Sequence, residues 1–370
     1  MTGRSFHLLF CMTPGVGLAT WRADGVLDRE MMPYVEYARR GWRVTIATYD
    51  RPDMIPPLPP GIDAVFCPHP RLLFLLPWTL RRAVLRADVV KTNQSQGAWW
   101  YLAAARLGRK PFILRCGWLP GPFLEKLEGM SWRLRRHRWL EGWAFRHADA
   151  CQVATAEDRD WAVAHYGVPA GTIHVRPNFV NIAAFRPLGL RPKPRSVVFV
   201  GRLAPQKNLD LLIRSCEEAG ASKLTLIGEG PERERLERMA RTAKLSVECL
   251  GSRPHEDLPR LLQSAEVFAL PSKVEGHPKA LLEAMACGMA CVATRVPGNI
   301  SAVEDGVTGL MCDENAASVA AALKRLLDDP GLRRRLGENA RRQVEEHLDF
   351  ARIFGDELRL VEQLASSTHG

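Results

Sequence analysis

Two glutamates, Glu275 and Glu283, stand eight residues apart in the segment 272–288. Proline is accepted in the first turn of a helix and glycine favours the left-handed residue that ends one, so the sequence predicts a helix over about Pro278–Cys287. Glu275 then lies in the preceding loop and Glu283 about one and a half turns into the helix, so both carboxylates can face one cleft. Carboxylates only accept hydrogen bonds, which suits the hydroxyl groups of a sugar. A solvated helix face explains an isolated pair equally well.

A basic loop follows the apolar segment 197–200, where Gly201, Arg202 and Lys207 come in close succession. Doubly wound sheets bind ligands at the carboxyl ends of their strands. A guanidinium fork and a mobile ammonium group at such a place suit a diphosphate. Taken alone, such a loop is more often a solvated turn. A second strand-to-loop turn contains Gly228, and the absence of a side chain there allows close backbone approach.

The composition indicates a globular protein of two domains. The chain has 370 residues, of which 46% are hydrophobic and 25% charged, and this length exceeds one comfortable core. The apolar run 6–12 predicts a buried first strand and not a signal peptide, and no run reaches the length of a membrane span. Nine scattered cysteines predict neither a disulfide framework nor a metal site. We therefore expect a cytoplasmic protein.

The positive charge is concentrated in the first half of the chain. The net charge is +10, with 28 basic and 15 acidic residues up to position 195 and 23 basic and 26 acidic residues after it. This asymmetry predicts an anionic partner, either nucleic acid or an anionic membrane surface. Segments 71–86 and 131–143 mix Trp and Leu with clustered Arg, which is typical of an interfacial helix and also of an ordinary helix with a basic face. No nucleic-acid recognition motif accompanies them, so we expect no nucleic-acid partner.

Short apolar runs alternate with helical patterns along the whole chain, which predicts an α/β fold with parallel sheets. The predicted strands are 5–11, 43–48, 64–67, 88–91, 111–116, 150–154, 172–176, 196–200, 223–227, 246–250, 267–270 and 290–294. Residues 186–195 contain three prolines and one glycine without periodicity, which indicates a linker. We therefore expect a first domain over 1–185 and a second over 196–346.

In order and spacing, these motifs resemble the GT-B glycosyltransferases of family 4, the large retaining group. The motifs are Gly201-Arg202 with Lys207-Asn208, Gly228-Glu-Gly-Pro231, Gly251 before Asp257-Leu-Pro259, Glu275-Gly276 with Glu283-Ala-Met-Ala-Cys-Gly288, and Asp305-Gly-Val-Thr-Gly-Leu310. They cover nearly all of 196–346, and the first half matches more loosely. The resemblance implies two Rossmann-like domains with parallel sheets facing a cleft, the donor on the second and the acceptor on the first. It also implies that the terminal helix 347–370 packs back on the first domain.

The resemblance assigns roles to residues of the second domain. Arg202 and Lys207 would neutralise the leaving nucleoside diphosphate, a task that other transferases give to a metal, so no metal or other cofactor is expected. Glu275 would hold the hydroxyls of the donor sugar, and Glu283 would accept from the ribose hydroxyls. The other donor-binding positions are Gly201, Gly228, Arg253, Gly276, His277 and Pro278. The donor would be a UDP- or GDP-type nucleotide sugar.

The first domain departs from the family in two places. Relatives commonly have two adjacent glycines at the start of the first helix, whose amides approach the diphosphate of the donor, where this chain has Asp24-Gly25. The resemblance therefore makes Gly25 the expected donor-binding residue of this domain, with Gly15 or Gly17 as the alternatives. Many relatives have His-Gly after a later strand, where this chain has Cys116-Gly117. The residues Lys91, Asn93, Arg115 and Cys116 are therefore candidate acceptor or sugar contacts.

The sequence thus predicts a retaining enzyme that transfers a sugar to an acceptor glycan or lipid-linked glycan, in bacterial cell-surface polysaccharide or glycolipid synthesis. Such an enzyme would be cytoplasmic, or peripheral at the inner face of the membrane. A GT-B sugar-nucleotide epimerase and a non-catalytic nucleotide-sugar binding protein are the alternatives. The epimerase would need acid and base groups at the sugar carbons, and Cys116 is what makes the non-catalytic protein an alternative.

Overall fold

The structure is a computed structural model that describes residues 5–119 and 131–367. The chain forms two compact units. The first contains the described residues up to Arg176 together with those from Phe354 onward, and the second contains residues 177–353.

The first unit is built on a seven-stranded parallel sheet with the order β3-β2-β1-β4-β5-β6-β7. Its strands are β1 His7–Cys11, β2 Arg43–Thr48, β3 Ile62–Phe66, β4 Val89–Thr92, β5 Phe112–Cys116, β6 Ala150–Val153 and β7 Ile173–Val175. Its helices are α1 Leu18–Ala23, α2 Leu27–Arg39, α3 Leu76–Thr79, α4 Arg81–Arg86, α5 Ala98–Leu107, α6 Trp132–His147 and α7 Ala156–Tyr166, with 3-10 turns at Pro52–Met54, Pro70–Leu75 and Ala170–Thr172. β1, β4, β5 and β6 are buried along their whole length, as expected where helices cover both faces of a parallel sheet.

The second unit is built on a six-stranded parallel sheet with the order β10-β9-β8-β11-β12-β13. Its strands are β8 Ser196–Val200, β9 Lys223–Ile227, β10 Ser246–Gly251, β11 Val267–Leu270, β12 Ala290–Thr294 and β13 Leu310–Cys312. Its helices are α8 Leu209–Glu218, α9 Arg233–Thr242, α10 Leu258–Leu262, α11 Lys279–Ala286, α12 Pro297–Ile300, α13 Ala316–Asp328 and α14 Pro330–His347, with 3-10 turns at Pro205–Lys207 and His255–Asp257. The terminal helix α15, Phe350–Ser367, begins in this unit, and its residues from Phe354 onward belong to the first.

The fold class predicted from the sequence is confirmed, and each of the twelve predicted strands is present. The three-residue strand β13 was not predicted. The helix predicted over Pro278–Cys287 is α11, with Pro278 as its N-cap and Cys287 as its C-cap. Gly288 has φ +73°, the left-handed conformation that the sequence predicted for the end of this helix.

The boundary between the units differs from the predicted linker. Residues 186–195 lie inside the second unit, and three of their amides donate hydrogen bonds to it: Leu188 to Gln263, Lys193 to Ser264 and Arg195 to Glu266. The proline-rich segment is therefore packed and does not separate the units. The chain divides at Arg176 instead, and it returns to the first unit at Phe354 and not at 347.

Candidate nucleotide-sugar site

The second sheet has a topological switch point between β8 and β11. Chain connections leave these two neighbouring strands toward opposite edges of the sheet, and the crevice between their carboxyl ends is where open α/β sheets bind ligands. The loop after β8 carries Arg202 and Lys207, and the loop after β11 carries Glu275. The motifs predicted from the sequence therefore meet at the switch point.

Lys207 and Glu275 form an ion pair across these two loops. The Lys207 ammonium donates to Glu275 Oε1 at 2.5 Å, with the two side chains 17% and 8% exposed. The Ser272 hydroxyl donates to the same oxygen at 2.6 Å. The cation that the resemblance assigns to a diphosphate is therefore paired with the carboxylate that it assigns to a sugar.

The backbone at Glu275 is fixed by the helix that follows β12. A Cβ added to Gly298 would lie 2.1 Å from the carbonyl oxygen of Gly276 and 2.6 Å from the carbonyl of Glu275. Glycine at position 298 therefore lets α12 pack directly against the loop. Gly276 and Glu275 are held in place by backbone contact, which preorganises the loop.

The glycines after β8 and β9 contact each other. Gly228 has φ +135°, and a Cβ there would lie 2.0 Å from the carbonyl oxygen of Gly201. The Gly228 amide donates to the carbonyl of Gly251, which ends β10. The close approach that the sequence predicted at Gly228 is thus made with a neighbouring loop. Arg202 extends from this junction with an exposed side chain.

Glu283 projects from α11 and is buried. Its carboxylate oxygen Oε1 lies 2.8 Å from His255 Nε2, and the side chain is 4% exposed. His255 follows the exposed residues Arg253 and Pro254 in the loop after β10. The predicted ribose carboxylate and the predicted base-contacting loop are therefore joined by a side-chain hydrogen bond.

His277 is buried beside Pro278 at the start of α11. Its Nδ1 accepts a hydrogen bond from the Asn178 amide at 3.1 Å, and its carbonyl accepts from Asn178 Nδ2 at 2.6 Å. These bonds fix the backbone just before the helix. Among residues 5–119 and 131–367, no three His, Cys, Asp or Glu side chains are grouped in a way that could hold a metal ion.

In the first unit, Gly25 lies in the turn between α1 and α2, with φ +69°. Gly15 and Gly17 lie closer to β1, in the loop before α1. A Cβ on Gly17 would lie 2.0 Å from Asp50 Oδ1, and the Ala19 amide donates to Asp50 at 3.3 Å. The first turn of α1 therefore faces a carboxylate, and Gly25 precedes the longer helix α2.

Lys91 does not lie where an acceptor could reach it. It is 2% exposed, and its ammonium pairs with the buried carboxylate of Glu357 on α15. Arg176 pairs with the same carboxylate, and the Tyr37 hydroxyl donates to it at 3.4 Å. Lys91, Arg176, Tyr37 and Glu357, which we call the Glu357 cluster, anchor the terminal helix within the first unit.

Burial and the neighbouring charges shift the pKa values of residues in and beside the Glu357 cluster. Burial lowers the pKa of Lys91 to about 8 against the raising effect of Glu357. Burial alone would raise the pKa of Glu357, but Arg176 and Lys91 hold it below the ordinary value. Arg115 is also buried, and burial together with Arg176 lowers its pKa to about 10. These burials correct the prediction that Lys91 and Arg115 contact a sugar or acceptor.

Cys116 is fully buried at the end of β5, where its thiol contacts the Ser95 hydroxyl at 3.4 Å and the Trp118 carbonyl at 2.9 Å. Burial raises the pKa of this thiol, and Cys116 packs as a small buried side chain. Asn93 is partly exposed after β4, with its amide 3.5 Å from the Thr13 hydroxyl. Of the four residues considered for the acceptor, Asn93 is the one that remains accessible. All nine cysteines are free thiols in the structure.

Replacing Glu357 by Ala is expected to lower the free energy of unfolding by about 3–5 kcal/mol, because it leaves the Lys91 and Arg176 charges buried without their carboxylate. Chemical denaturation measures this loss. Asp356→Ala is the matched control, since Asp356 is the exposed neighbouring carboxylate of α15, and a change within about 0.5 kcal/mol is expected there. Equal losses in both variants would contradict the anchoring role.

The contribution of the Glu357 cluster to the free energy of unfolding is expected to depend on pH. A carboxylate whose folded pKa is lowered contributes stability that is full above its unfolded pKa and lost as pH falls through the folded one. The advantage of the wild type over Glu357→Gln should therefore be largest above the ordinary Glu value of 4.5 and shrink in acid. Unfolding curves of both proteins from neutral pH to pH 3 test this, and a difference independent of pH would contradict the ionised state of Glu357.

Sequence reasoning missed Ser272, His255 and Glu357. Ser272 stands three residues before Glu275, a spacing that could have indicated a local hydrogen bond. His255 is hydrogen-bonded to Glu283, 28 residues away in the sequence, and Glu357 to Lys91, 266 residues away. No periodicity or motif in a single sequence signals such pairs.

Two family profiles match adjacent parts of the chain: glycosyl transferases group 1 over residues 181–343 and glycosyltransferase family 4 over residues 35–184. A D-inositol 3-phosphate glycosyltransferase of Salinispora arenicola is 38% identical over 177 residues, which are 44% of this chain and 40% of that protein. An Escherichia coli UDP-Gal:alpha-D-GlcNAc-diphosphoundecaprenol alpha-1,3-galactosyltransferase is 28% identical over 263 residues, 65% of this chain and 67% of that protein. The chain spans about half the length of the first curated relatives that it matches, from 40% to 57%.

Solved structures share the fold. Anabaena HepE, crystallised in complex with UDP, superimposes with a TM-score of 0.77 at 18% identity, over 97% of this chain and all of that one. Sucrose-phosphate synthase from Thermosynechococcus elongatus gives a TM-score of 0.81 at 21% identity, over 98% of this chain and all of that one. The two profiles, the parallel sheets and these superpositions agree with the resemblance found in the sequence. The chain belongs to the family 4 GT-B glycosyltransferases, the glycosyl transferases group 1.

Proposed function

We propose that the chain is a retaining glycosyltransferase that moves a sugar from a UDP- or GDP-type nucleotide sugar to an acceptor hydroxyl. The observation that carries this proposal is the meeting of Lys207 and Glu275 at the switch point of the second sheet, beside the exposed Arg202. The family membership and the names of the relatives support it. We place its role in the synthesis of bacterial cell-surface polysaccharide or glycolipid.

In this proposal Lys207 exchanges its partner when the donor binds. Its ammonium leaves Glu275 for the diphosphate, and Arg202 contacts the same group with its guanidinium. Negative charge on the diphosphate grows as the sugar departs, so both cations stabilise the transition state more than the ground state. No metal is required by this arrangement.

The exchange also frees the Glu275 carboxylate to accept hydrogen bonds from the sugar hydroxyls. The backbone of Gly276, His277 and Pro278 lines the same loop. Glu283 accepts from the ribose, and the backbone around Arg253 meets the base. These residues lie in α11 or in loops that follow strands of the second sheet.

Retention follows if the acceptor attacks the face from which the diphosphate leaves. A phosphate oxygen of the donor then takes the proton of the acceptor hydroxyl as the glycosidic bond forms and the sugar-phosphate bond breaks. No protein nucleophile is needed, which agrees with the burial of Cys116.

A donor screen tests the proposal. The full chain is examined with UDP- and GDP-sugars by thermal shift, and donors that stabilise it are incubated with lipid-linked and free glycans for mass spectrometry. A new product with the mass of acceptor plus sugar is expected. An isomerised donor without transfer would support an epimerase, and binding without either reaction would support a non-catalytic protein.

For the acceptor, we propose a glycan or lipid-linked glycan at an anionic membrane surface. Trp78, Trp132 and Trp139 are 69%, 66% and 64% exposed. The guanidinium groups of Arg133 and Arg136 lie 5.5 and 5.6 Å from the Trp132 ring centroid. The helices that carry these tryptophans, α3 and α6, both pack on α5. Exposed tryptophans among arginines favour the interface of an anionic bilayer, and no helix among the described residues could span one.

The protein is accordingly expected to sediment with anionic vesicles at low salt and to dissociate as salt rises, because surface attraction is screened within about 10 Å at 0.1 M. Neutral vesicles should bind less. The diagnostic variant changes four arginines of α6 to Gln: Arg133, Arg135, Arg136 and Arg138. It should lose vesicle binding and keep nucleotide binding by the second unit.

The matched control changes four exposed arginines of the second unit to Gln, and it should still sediment with anionic vesicles. These four are Arg241, Arg334, Arg335 and Arg342. Equal losses in the two variants would mean that net charge alone drives binding. If the wild type shows no preference for anionic vesicles at low salt, a soluble acceptor becomes the better assignment.

A further inference from the structure

We infer that His255 is a positioning residue for the nucleoside part of the donor, because it joins the loop after β10 to the carboxylate of Glu283 on α11. This inference rests on the proposed function, in which these two elements meet the base and the ribose. His255 itself need not touch the ligand.

His255 and Glu283 form a short and largely buried side-chain hydrogen bond. His255 Nε2 and Glu283 Oε1 are 2.8 Å apart, and the side chains are 15% and 4% exposed. An ionised Glu283 carboxylate can only accept, and in that state Nε2 carries the proton of this bond. A hydrogen bond to an ionised group is about twice as strong as a neutral one, and it fixes the orientation of a carboxylate that is withdrawn from water.

The imidazole is itself held in place. The Phe185 ring packs against it with centroids 4.9 Å apart. Arg341 on α14 donates to the Phe185 carbonyl at 2.5 Å and to the Ala286 carbonyl at 2.7 Å. The same arginine thus fixes the residue that supports His255 and the end of the helix that carries Glu283.

Loss of the His255 hydrogen bond should therefore affect the nucleoside and not the diphosphate. Glu283 would lose the bond that orients it, and the loop carrying Arg253 would lose its link to α11. Arg202 and Lys207 lie on the loop after β8, outside this network. Affinity for a nucleotide should fall, while affinity for inorganic pyrophosphate should not.

The test uses two variants of the full chain, His255→Leu and His255→Gln, with calorimetric titration of UDP, GDP and pyrophosphate. Leu fills the space without a donor, and the Gln amide can replace Nε2–H. For whichever nucleotide the wild type binds, His255→Leu should weaken binding about tenfold or more. His255→Gln should stay within about threefold of the wild type, and pyrophosphate should bind all three alike. In kinetics, the KM for the donor should rise with kcat little changed.

A double-mutant cycle with Glu283→Gln completes the test. If His255 acts through Glu283, the variant with both changes should bind nucleotide no more weakly than Glu283→Gln alone. Additive losses, or a weakened affinity for pyrophosphate in His255→Leu, would overturn the positioning role. A weakened Glu283→Gln beside an unaffected His255→Leu would overturn it as well. A Glu283→Gln chain that binds UDP and GDP as tightly as the wild type would instead overturn the ribose assignment of the proposed function.

Discussion

Replacing Arg202 or Lys207 by Ala is expected to lower kcat by about two orders of magnitude or more. Each change removes a cation from the switch point where β8 and β11 diverge, and in the proposed reaction that cation stabilises charge that grows as the diphosphate leaves. Lys207→Ala has a second consequence, because it leaves Glu275, which is 8% exposed, without its ammonium partner. Initial rates with saturating donor and acceptor measure both effects.

Lys193→Ala is the matched control for these variants. Lys193 is exposed and precedes the amino end of β8, at the opposite end of the strand from Arg202 and Lys207. Its removal changes the net charge of the unit by the same amount, and kcat should not change. A chelator should leave the wild type active, and activity that a chelator abolishes and a divalent ion restores would contradict the metal-free arrangement.

Replacing Glu275 by Gln is expected to lower kcat by about two orders of magnitude, because contacts with the sugar strengthen in the transition state. Affinity for UDP or GDP should be unchanged or higher, since Lys207 no longer has a carboxylate to leave when the diphosphate binds. Glu283→Gln should instead weaken donor binding, so the KM for the donor should rise and kcat should change less than it does in Glu275→Gln.

Steady-state kinetics and calorimetry on the same preparations separate the two glutamates. Ser272→Ala is a useful companion variant, because it removes one hydrogen bond to Glu275 Oε1 and leaves the charge in place. It should lose less activity than Glu275→Gln. If Glu275→Gln and Glu283→Gln weaken nucleotide binding equally, the division of the site into sugar and ribose carboxylates is wrong.

The fold could be predicted from the sequence because parallel strands that are covered on both faces have short, continuous apolar sequences. β2, β8, β9, β11 and β12 coincide with their predicted bounds. Strand β13, which has three residues, was not predicted, although the equally short β7 was. Tertiary packing decides domain limits, and residues 186–195 show this: their prolines indicate a linker, yet their backbone is hydrogen-bonded to the second unit.

The proximity of Arg202, Lys207 and Glu275 could be predicted because they occur in short motifs at strand ends, which a parallel sheet brings to one edge. Lys91 shows where this reasoning fails. Its position at the end of a first-domain strand suggested an accessible cation, but Lys91 is buried and pairs with Glu357, 266 residues later. Arg115 is buried as well. The sequence near Lys91 does not distinguish a lysine in a ligand site from one in a buried ion pair, because its partner Glu357 lies on the terminal helix.

The central claim is that the chain transfers a sugar from a nucleotide donor with retention, and a proton NMR time course of the reaction tests it most directly. The anomeric proton of the donor should disappear as that of a glycoside with the same configuration appears, and the rate should fall about 100-fold or more in Lys207→Ala. A product of inverted configuration would contradict the retaining mechanism. A donor that binds and stays unchanged with every acceptor would contradict transferase activity itself.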